Sequence, residues 1–223
     1  MVKDSILPKK TLIGWRNADG ESFPITNTDD VVVFEPFFYR GFSLLTSRFS
    51  RGLLHWYRIE LFNFNPNSIL HISSFIHLCE AFLGVRPHFN LFRFLFSLKA
   101  TQKGGQISVV GGAGLQLYQG RSAKYLGLPL KTSLKGWHPR WFYVSNPSPS
   151  LPAYVGRRPV VKESWSSLPL DEEMKQVNAL LQRLEACKKD DRVNDVGVVR
   201  SFVSHRIQPI KERVHLAFDY DVT

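Results

Sequence analysis

The sequence predicts an α+β fold that is mainly helical, with a helical core, a small β-hairpin or sheet, and a C-terminal helix. Three observations lead to this prediction. Residues 31–100 hold 13 of the 17 phenylalanines and repeat apolar residues at helical spacing. Residues 106–118 contain short β-rich runs around a cluster of glycines, which is typical of a hairpin. Residues 170–184 repeat apolar residues every three or four positions, which predicts a further helix.

The first 30 residues are polar and interrupted, and we expect them to form an N-terminal segment apart from the core. Asn17-Ala18-Asp19-Gly20 indicates a turn, because these residue types tolerate the backbone angles that turns require. The apolar run Val31-Val32-Val33-Phe34 fits either a short strand or the start of a buried helix. Periodicity alone does not separate the two in so short a run.

A first helix is predicted to begin near Ser50 and to present two different faces. The face expected to pack on the core consists of Leu54, Tyr57 and Leu61. The face expected to lie in water consists of Arg51, His55 and Arg58.

Two more helices are predicted before residue 100. Asn65 is expected to cap the second, with Pro66 at its first position, where the missing N–H costs little. Gly84 is expected to end that helix, since glycine readily adopts the left-handed conformation found there. The third helix is predicted over residues 88–98, where phenylalanine and leucine are dense enough to be buried on most sides.

The pattern then changes to that of β-structure. Residues 106–110 and 115–118 are predicted to pair as a hairpin across Gly111-Gly112-Ala113-Gly114. These glycines do not fit a phosphate-binding loop, because neither GxGxxG spacing nor a following Gly-Lys-Ser/Thr is present. Residues 141–144 fit a strand. Aromatic and basic residues alternate over 124–144, either to stack on single-stranded nucleic acid or to complete the core.

The chain divides by composition into four segments: a polar N-terminal segment (1–30), a core domain (31–146), a Pro/Ser-rich linker (147–169) and a C-terminal helical segment (170–223). Val160, Val161 and Trp165 suggest that the linker lies against the core. Acidic residues 171–173 are expected to begin the C-terminal helix, where negative charge is favourable. A last helix is predicted over residues 198–207.

The basic charge of the chain is concentrated in its middle. The net charge is +10, and residues 37–150 carry 13 Lys and Arg against Glu60 and Glu80 alone, a net +11. Such a window attracts polyanions, although a solvated surface without a partner has the same composition. The candidate nucleic-acid contacts are Arg48, Arg51, Arg58, Lys99, Lys103, Lys124, Lys131, Lys135 and Arg140.

The composition favours a folded, intracellular protein in the nucleus or the cytoplasm. No apolar stretch that resembles a secretion signal follows Met1, and the most apolar run, 69–85, is too short and too polar to cross a membrane. Cys79 and Cys187 are far apart and form no CxxC pair, which favours a reducing compartment. Cys79 is expected to be buried as a small apolar side chain.

No catalytic motif is present, so we expect no enzyme, no cofactor and no metal. His71, His77 and Cys79 fall in one helix, but His71 and His77 are six residues apart and are expected to point to different faces. Glu60 and Glu80 could act as paired carboxylates in a nuclease remnant, or they could be buried partners of nearby arginines such as Arg58 or Arg86.

Several short motifs are distributed along the chain. They are Arg40-Gly41-Phe42, Arg48-Phe49-Ser50-Arg51-Gly52-Leu53-Leu54, Asn65-Pro66-Asn67-Ser68-Ile69, Cys79-Glu80-Ala81-Phe82-Leu83-Gly84-Val85, Gly136-Trp137, Trp141-Phe142-Tyr143-Val144 and Arg206-Ile207-Gln208-Pro209-Ile210. Together they resemble the plant gypsy-type transposon domain, found near the start of proteins encoded by retrotransposon-like elements. The resemblance extends over about residues 30–215. It implies a transposon-derived protein without an assigned catalytic residue.

Two main functions follow from the charge and the resemblance. The first is a non-enzymatic protein with a gag-like structural role, which binds RNA or DNA through charge and with little sequence preference. The second is a protein-interaction module that forms homo-oligomers through the helix of residues 170–184. The residues predicted to form that seam are Leu170, Met174, Val177, Leu181 and Leu184.

Overall fold

The structure is a computed structural model, and it describes residues 14–18, 20–21, 23–25, 30–42, 47–126, 134–145, 154–190 and 193–207. The helices are α1 (Glu35–Phe38), α2 (Arg48–Tyr57), α3 (Pro66–His77), α4 (Phe89–Leu95), α5 (Asp171–Lys189) and α6 (Asp195–Phe202). The strands are β1 (Trp15–Asn17), β2 (Asp30–Phe34), β3 (Phe96–Ala100), β4 (Gln102–Lys103), β5 (Gln106–Ile107), β6 (Ala113–Leu117) and β7 (Trp141–Ser145). Single turns of 3-10 helix occupy Leu61–Asn63, Ser122–Lys124 and Glu163–Trp165, and π-helical turns occupy Leu78–Phe82 and Val203–Ile207.

The first sheet joins the beginning of the chain to its middle. It has the order β1-β7-β2 and is antiparallel, with Trp15 opposite Val144 and Val32 opposite Tyr143. The run 31–34 is therefore a strand, and the strand predicted over 141–144 is confirmed. Tyr143 stands at the centre of this sheet, with the Arg16 guanidinium 3.4 Å from its ring centroid.

The second sheet corrects two predictions at once. β3 pairs antiparallel with β6, so Leu98 lies opposite Leu115, and the predicted hairpin of 106–110 with 115–118 is wrong. The helix predicted over 88–98 ends at Leu95, because the next five residues form β3. An apolar run of this length fits a buried strand as well as a buried helix, and its partner strand decides between them.

Glycines serve two different purposes beside this sheet. The tight turn lies at Gly104-Gly105, where both residues have positive φ and join β4 to β5. Gly111 and Gly112 instead allow close packing before β6. A Cβ on Gly112 would lie 1.9 Å from the Ser108 carbonyl oxygen, and a Cβ on Gly111 would lie 2.7 Å from the Trp137 ring. The chain just before β6 is therefore packed too closely for a side chain at these two positions.

The predicted helix boundaries in the first half are largely confirmed. The Asn65 side chain accepts a hydrogen bond from the Ser68 N–H at 2.8 Å, with Pro66 in the first turn of α3. Gly84 follows the π-helical turn with φ +59°. The predicted face shared with Leu61 is wrong, since α2 ends at Tyr57 and Arg58 turns the chain with φ +51°.

Helices and strands build the aromatic core together, which makes the fold α+β. Phe75 on α3, Phe92 on α4 and Phe96 on β3 pack with ring centroids 5.1 and 4.7 Å apart in successive pairs. Phe38 on α1 stacks on Phe142 of β7 at 5.8 Å. Strand residues therefore fill the core beside helical ones, and helices alone do not form it.

The segment before α5 lies against the core through its aromatic residues. The Trp165 indole N–H donates to the Tyr57 carbonyl at 3.0 Å, and Trp165 is buried, as expected. Val160 and Val161, which were expected to pack on the core as well, are exposed. Only part of the expectation for this segment is therefore confirmed.

The two C-terminal helices occur where the sequence predicts them, and α6 begins three residues earlier than expected. Phe202 of α6 packs on the backbone of Gly41, where an added Cβ would lie 2.7 Å from its ring. Close contact between α6 and the α1 region therefore depends on glycine at this position.

Arg93 connects α4 to the start of α5 from a buried position. Its side chain donates to the Leu168 carbonyl at 2.8 Å and to the Glu173 carboxylate at 3.5 Å. Its guanidinium also lies 4.5 Å from the Trp56 ring centroid. A cation that is only 6 % exposed is tolerated here because carbonyl, carboxylate and ring surround it.

The cap of α3 gives a first prediction. We expect Asn65→Ala to lower the free energy of unfolding by about 1–2 kcal/mol, because the Ser68 N–H loses its acceptor. Urea denaturation followed by circular dichroism measures the change. Gly52→Ala in α2 is the matched control: its Cβ meets nothing within 4 Å, so it should stabilise the helix by about 0.5–1 kcal/mol. Unchanged stability in Asn65→Ala would contradict the cap.

The buried guanidinium gives a second prediction. We expect Arg93→Lys to lower the free energy of unfolding by about 2 kcal/mol, because an ammonium cannot reach both ends of the 167–173 segment or lie flat on Trp56. The same urea titration measures it. Arg86→Lys changes an exposed arginine and should have no effect. If both variants unfold at the urea midpoint of the unaltered chain, Arg93 does not hold the segment.

Candidate nucleic-acid interface

The outer face of α2 brings three of the predicted cations together. Arg48 and Arg51 lie on the exposed side of the helix with His55, and Arg58 follows at its C-terminal cap. Residues three or four positions apart share a helix face, so these side chains form one row about 15 Å long. The opposite face of α2 is buried, which fixes the row towards water. We call Arg48, Arg51 and Arg58 the α2 arginine row.

The α2 arginine row carries positive charge that no neighbour offsets. None of its three side chains forms an ion pair with any residue that the structure describes, and all three are exposed. The helix begins at Ser47, whose hydroxyl accepts from the Ser50 N–H at 3.2 Å. The row is therefore held on a capped helix and remains available to an anion.

Other predicted cations lie on separate elements. Lys99 is exposed on β3 and Lys103 on β4. Burial lowers the pKa of His138, and the nearby charge of Lys103 lowers it further, which places Lys103 beside the loop that carries Lys135. Lys103 therefore lies near this imidazole, and Lys135 is exposed three residues before it in the chain.

Arg140 is the predicted contact that already has an acidic partner. Its Nε lies 2.8 Å from a Glu35 carboxylate oxygen, and this hydrogen bond raises the pKa of Arg140. A phosphate would have to compete with Glu35 for it. Lys131 lies outside the described residues.

A further basic cluster includes a residue that the sequence reasoning missed. The Arg121 guanidinium lies 3.6 Å from the Phe94 ring centroid, and the Lys124 ammonium lies 5.7 Å from it. Lys188 of α5 donates to the Ala123 carbonyl at 3.0 Å. An arginine three residues before Lys124 was a usable signal, because the two fall on the same side of a helical turn.

The predicted self-association seam is partly occupied within the chain. Val177 and Leu184 are buried against the core, and Met174 and Leu181 are partly buried against it. Leu170 is exposed. The buried members therefore dock α5 onto its own chain, and Leu170 alone of the five is largely free of that contact.

His77 packs between α3 and α6. The His77 Nε2 lies 3.0 Å from the Ser201 hydroxyl, and the His205 ring stacks nearby with its centroid 6.4 Å away. The Nδ1 of His77 has no hydrogen-bond partner among the described residues. In that part of the chain, no three His, Cys, Asp or Glu side chains are arranged to hold a metal ion. The His77–Ser201 contact serves to join α3 to α6.

The two acids of the basic window have separate surroundings. Glu80 pairs with an arginine, but this arginine is Arg206, which is distant in sequence, and not the neighbouring Arg58 or Arg86 that the sequence suggested. Glu60 is half-buried beside the 61–63 turn, and burial raises its pKa while Arg157 opposes the rise.

Cys79 and Cys187 are buried free thiols, and burial raises the pKa of Cys79 to about 12.

Burial of two histidines gives a pH prediction. Desolvation lowers the pKa of His71 and of His77 to about 4, below the usual 6.5. On acidification, the two histidines are protonated at a higher pH in the unfolded chain than in the folded one. The free energy of unfolding therefore falls as the pH drops from 6.5 towards 4. We expect a loss of about 3 kcal/mol in total over this window, after allowance for partial exposure.

Urea midpoints at pH 7.0 and 4.5 measure this loss. The double variant of His71→Gln and His77→Gln should lose less stability on acidification than the unaltered chain. His55→Gln, on the exposed face of α2, is the control and should leave the pH dependence unchanged. Equal acid sensitivity in all three proteins would show that these histidines are not its source.

The comparisons with known proteins identify one segment. Residues 31–100 match the family model described as "Putative gypsy type transposon". No curated protein and no solved structure matches the chain. Among the described residues, no helix has the length and apolar character needed to cross a membrane.

The match includes the α2 arginine row and ends at the last residue of β3. It is shorter than the resemblance over residues 30–215, and the motifs at 136–144 and 206–210 lie beyond it. The matched segment also contains α1, α3 and α4, which supply much of the aromatic core. Residues 31–100 therefore belong to the gypsy-type transposon domain family.

Proposed function

We propose that this chain is a non-enzymatic, transposon-derived protein with a gag-like structural role, which binds RNA or DNA in the nucleus or cytoplasm through charge. The observation that carries the proposal is the α2 arginine row, with three exposed guanidinium groups and no acidic partner among the described residues. Guanidinium groups bind phosphate oxygens in a bidentate manner, which suits such a row to a nucleic-acid backbone.

The surrounding acids do little to weaken the field of this row. Glu80 is paired with Arg206, and the raised pKa of Glu60 favours its neutral form relative to an exposed carboxylate. The positive potential of the 37–150 window is therefore retained at the surface. Such a potential speeds the association of polyanions and adds to their affinity.

Contacts of this kind are made to phosphates and not to base edges. Phosphate contacts hold a nucleic acid in place without reading its sequence. We therefore propose binding that tolerates sequence and falls steeply with salt. The lysines at positions 99, 103, 124 and 135 would extend the contact where a flexible single strand reaches them.

A salt-dependent titration tests the proposal. The three-residue variant Arg48→Gln, Arg51→Gln and Arg58→Asn removes the row, and Asn suits the left-handed backbone at position 58. For duplex DNA, the slope of log affinity against log salt should become less steep by about 3, one counterion for each lost phosphate contact. Fluorescence anisotropy with labelled duplex DNA and single-stranded RNA at several salt concentrations measures the slope.

A matched control removes the same charge elsewhere. Lys175→Gln, Arg183→Gln and Arg200→Gln change three exposed cations outside the basic window and should leave the slope nearly unchanged. Two results would contradict the proposal: no binding of the unaltered chain at low salt, or equal slopes for the two three-residue variants.

A further inference from the structure

The segment that precedes α5 holds a concentration of exposed apolar side chains. Of the eleven large apolar side chains exposed among the described residues, five lie between residues 155 and 170. They are Val155 at 43 %, Val160 at 60 %, Val161 at 54 %, Leu168 at 47 % and Leu170 at 62 % exposure. Soluble proteins seldom leave such a group together in water without a partner. We call residues 155–172 the docking strip.

The docking strip is anchored to the core along its length, and three of its hydrogen bonds mark its beginning, middle and end. The Arg157 carbonyl accepts from the Asn63 side chain at 3.2 Å, near the beginning of the strip. The Trp165 indole donates to the Tyr57 carbonyl in its middle. The Leu168 carbonyl accepts from Arg93 at 2.8 Å, near its end. Because the backbone is held in this way, the exposed apolar side chains are presented on a fixed path across the surface.

The charges of the docking strip are separated by sign along this path. The cations Arg157, Arg158 and Lys162 come first along the strip, and the acids Glu163, Asp171 and Glu172 follow them. The strip therefore has no net charge, in contrast to the basic window before it. All six residues are exposed, and none forms an ion pair with another described residue.

We propose that the docking strip binds the same strip of a second copy of this chain in antiparallel orientation, related by a two-fold axis. A two-fold interface must be self-complementary. If a residue at the beginning of one strip contacts a residue at the end of the other, the symmetry axis repeats the same contact with the two copies exchanged. Antiparallel pairing places Arg157 and Arg158 of one copy near Asp171 and Glu172 of the other. It also covers Val160 and Val161 with Leu168 and Leu170, and it removes the five exposed apolar side chains from water.

Charge complementarity favours a second copy over a different protein. A strip with a basic beginning and an acidic end fits the reversed copy of itself without a new charge pattern. The exposed valines of the α6 region, Val196 and Val199 on α6 and Val203 in the π-helical turn after it, have no such arrangement of charges. This inference does not depend on nucleic-acid binding, because it concerns a different surface.

Sedimentation velocity of the full chain, freed of nucleic acid by nuclease treatment, tests the proposal over a range of protein concentrations. The unaltered chain should form dimers. A variant with Arg157→Glu and Arg158→Glu, and another with Asp171→Lys and Glu172→Lys, should each dimerise about tenfold or more weakly, because like charges then face each other. An equimolar mixture of the two variants should dimerise at least as tightly as the unaltered chain.

The mixture also controls for folding, since only folded variants can restore each other. Val196→Ser with Val199→Ser on α6 is the apolar control and should leave dimerisation unchanged. A monomer at every concentration overturns the proposal. So do dimers that withstand both charge reversals, variants that do not restore each other, and dimers lost in the α6 control.

Discussion

The burial of the Arg93 guanidinium is the constraint on which the arrangement of the second half of the chain depends. A buried cation is tolerated only when most of its donors find acceptors, and residues 167–173 supply three of the four acceptors of the Arg93 terminal nitrogens, with Asn90 as the fourth. The aromatic surface of α4 and Trp56 therefore cannot close without that segment. The start of α5 and the docking strip are located by this requirement, although residues 31–100 alone match the family model.

Local chemistry explains which parts of the fold were predictable. Asn65 and Pro66 specify the start of α3 through a cap and a fixed φ, and both effects act within one turn. The pairing of β3 with β6 depends on residues that are about 17 positions apart in sequence, and no local pattern distinguishes Phe96–Ala100 from the continuation of a helix. The predicted hairpin failed for the same reason: Gly111 does stand in a turn, with φ +70°, but the strand that follows it pairs with β3 and not with residues 106–110.

The same distinction between local and long-range determinants applies to the candidate site. The α2 arginine row was predictable because helical periodicity is a local property: Arg48 and Arg51 lie on α2, and Arg58 follows at its C-terminal cap. The proximity of Lys103 to His138 and the pairing of Glu80 with Arg206 join residues that are distant in sequence. The apolar stripe of α5 was visible in the sequence for the same local reason, and self-association through it stays a prediction. The pattern did not reveal that Val177 and Leu184 face the core of their own chain.

The two proposed surfaces have different physical characters, and this difference suits them to different tasks. The α2 arginine row is polar, unpaired and positive, so salt in the medium controls its interactions. The docking strip is apolar and charge-balanced, so its interactions depend mainly on removal of apolar surface from water. A protein with both surfaces could associate with copies of itself without losing its attraction for a polyanion.

The contact of Phe202 with Gly41 has a consequence for how sequences of this kind can change over time. An added Cβ at position 41 would lie 2.7 Å from the Phe202 ring and 3.0 Å from the Ser73 Cβ, on a backbone whose φ of +83° already favours glycine. A smaller side chain at position 202 would therefore not make room for a larger residue at position 41, and we expect related sequences that keep this arrangement of α6 to keep the glycine. A copy that keeps the ring but loses the glycine would no longer hold its last helix in place.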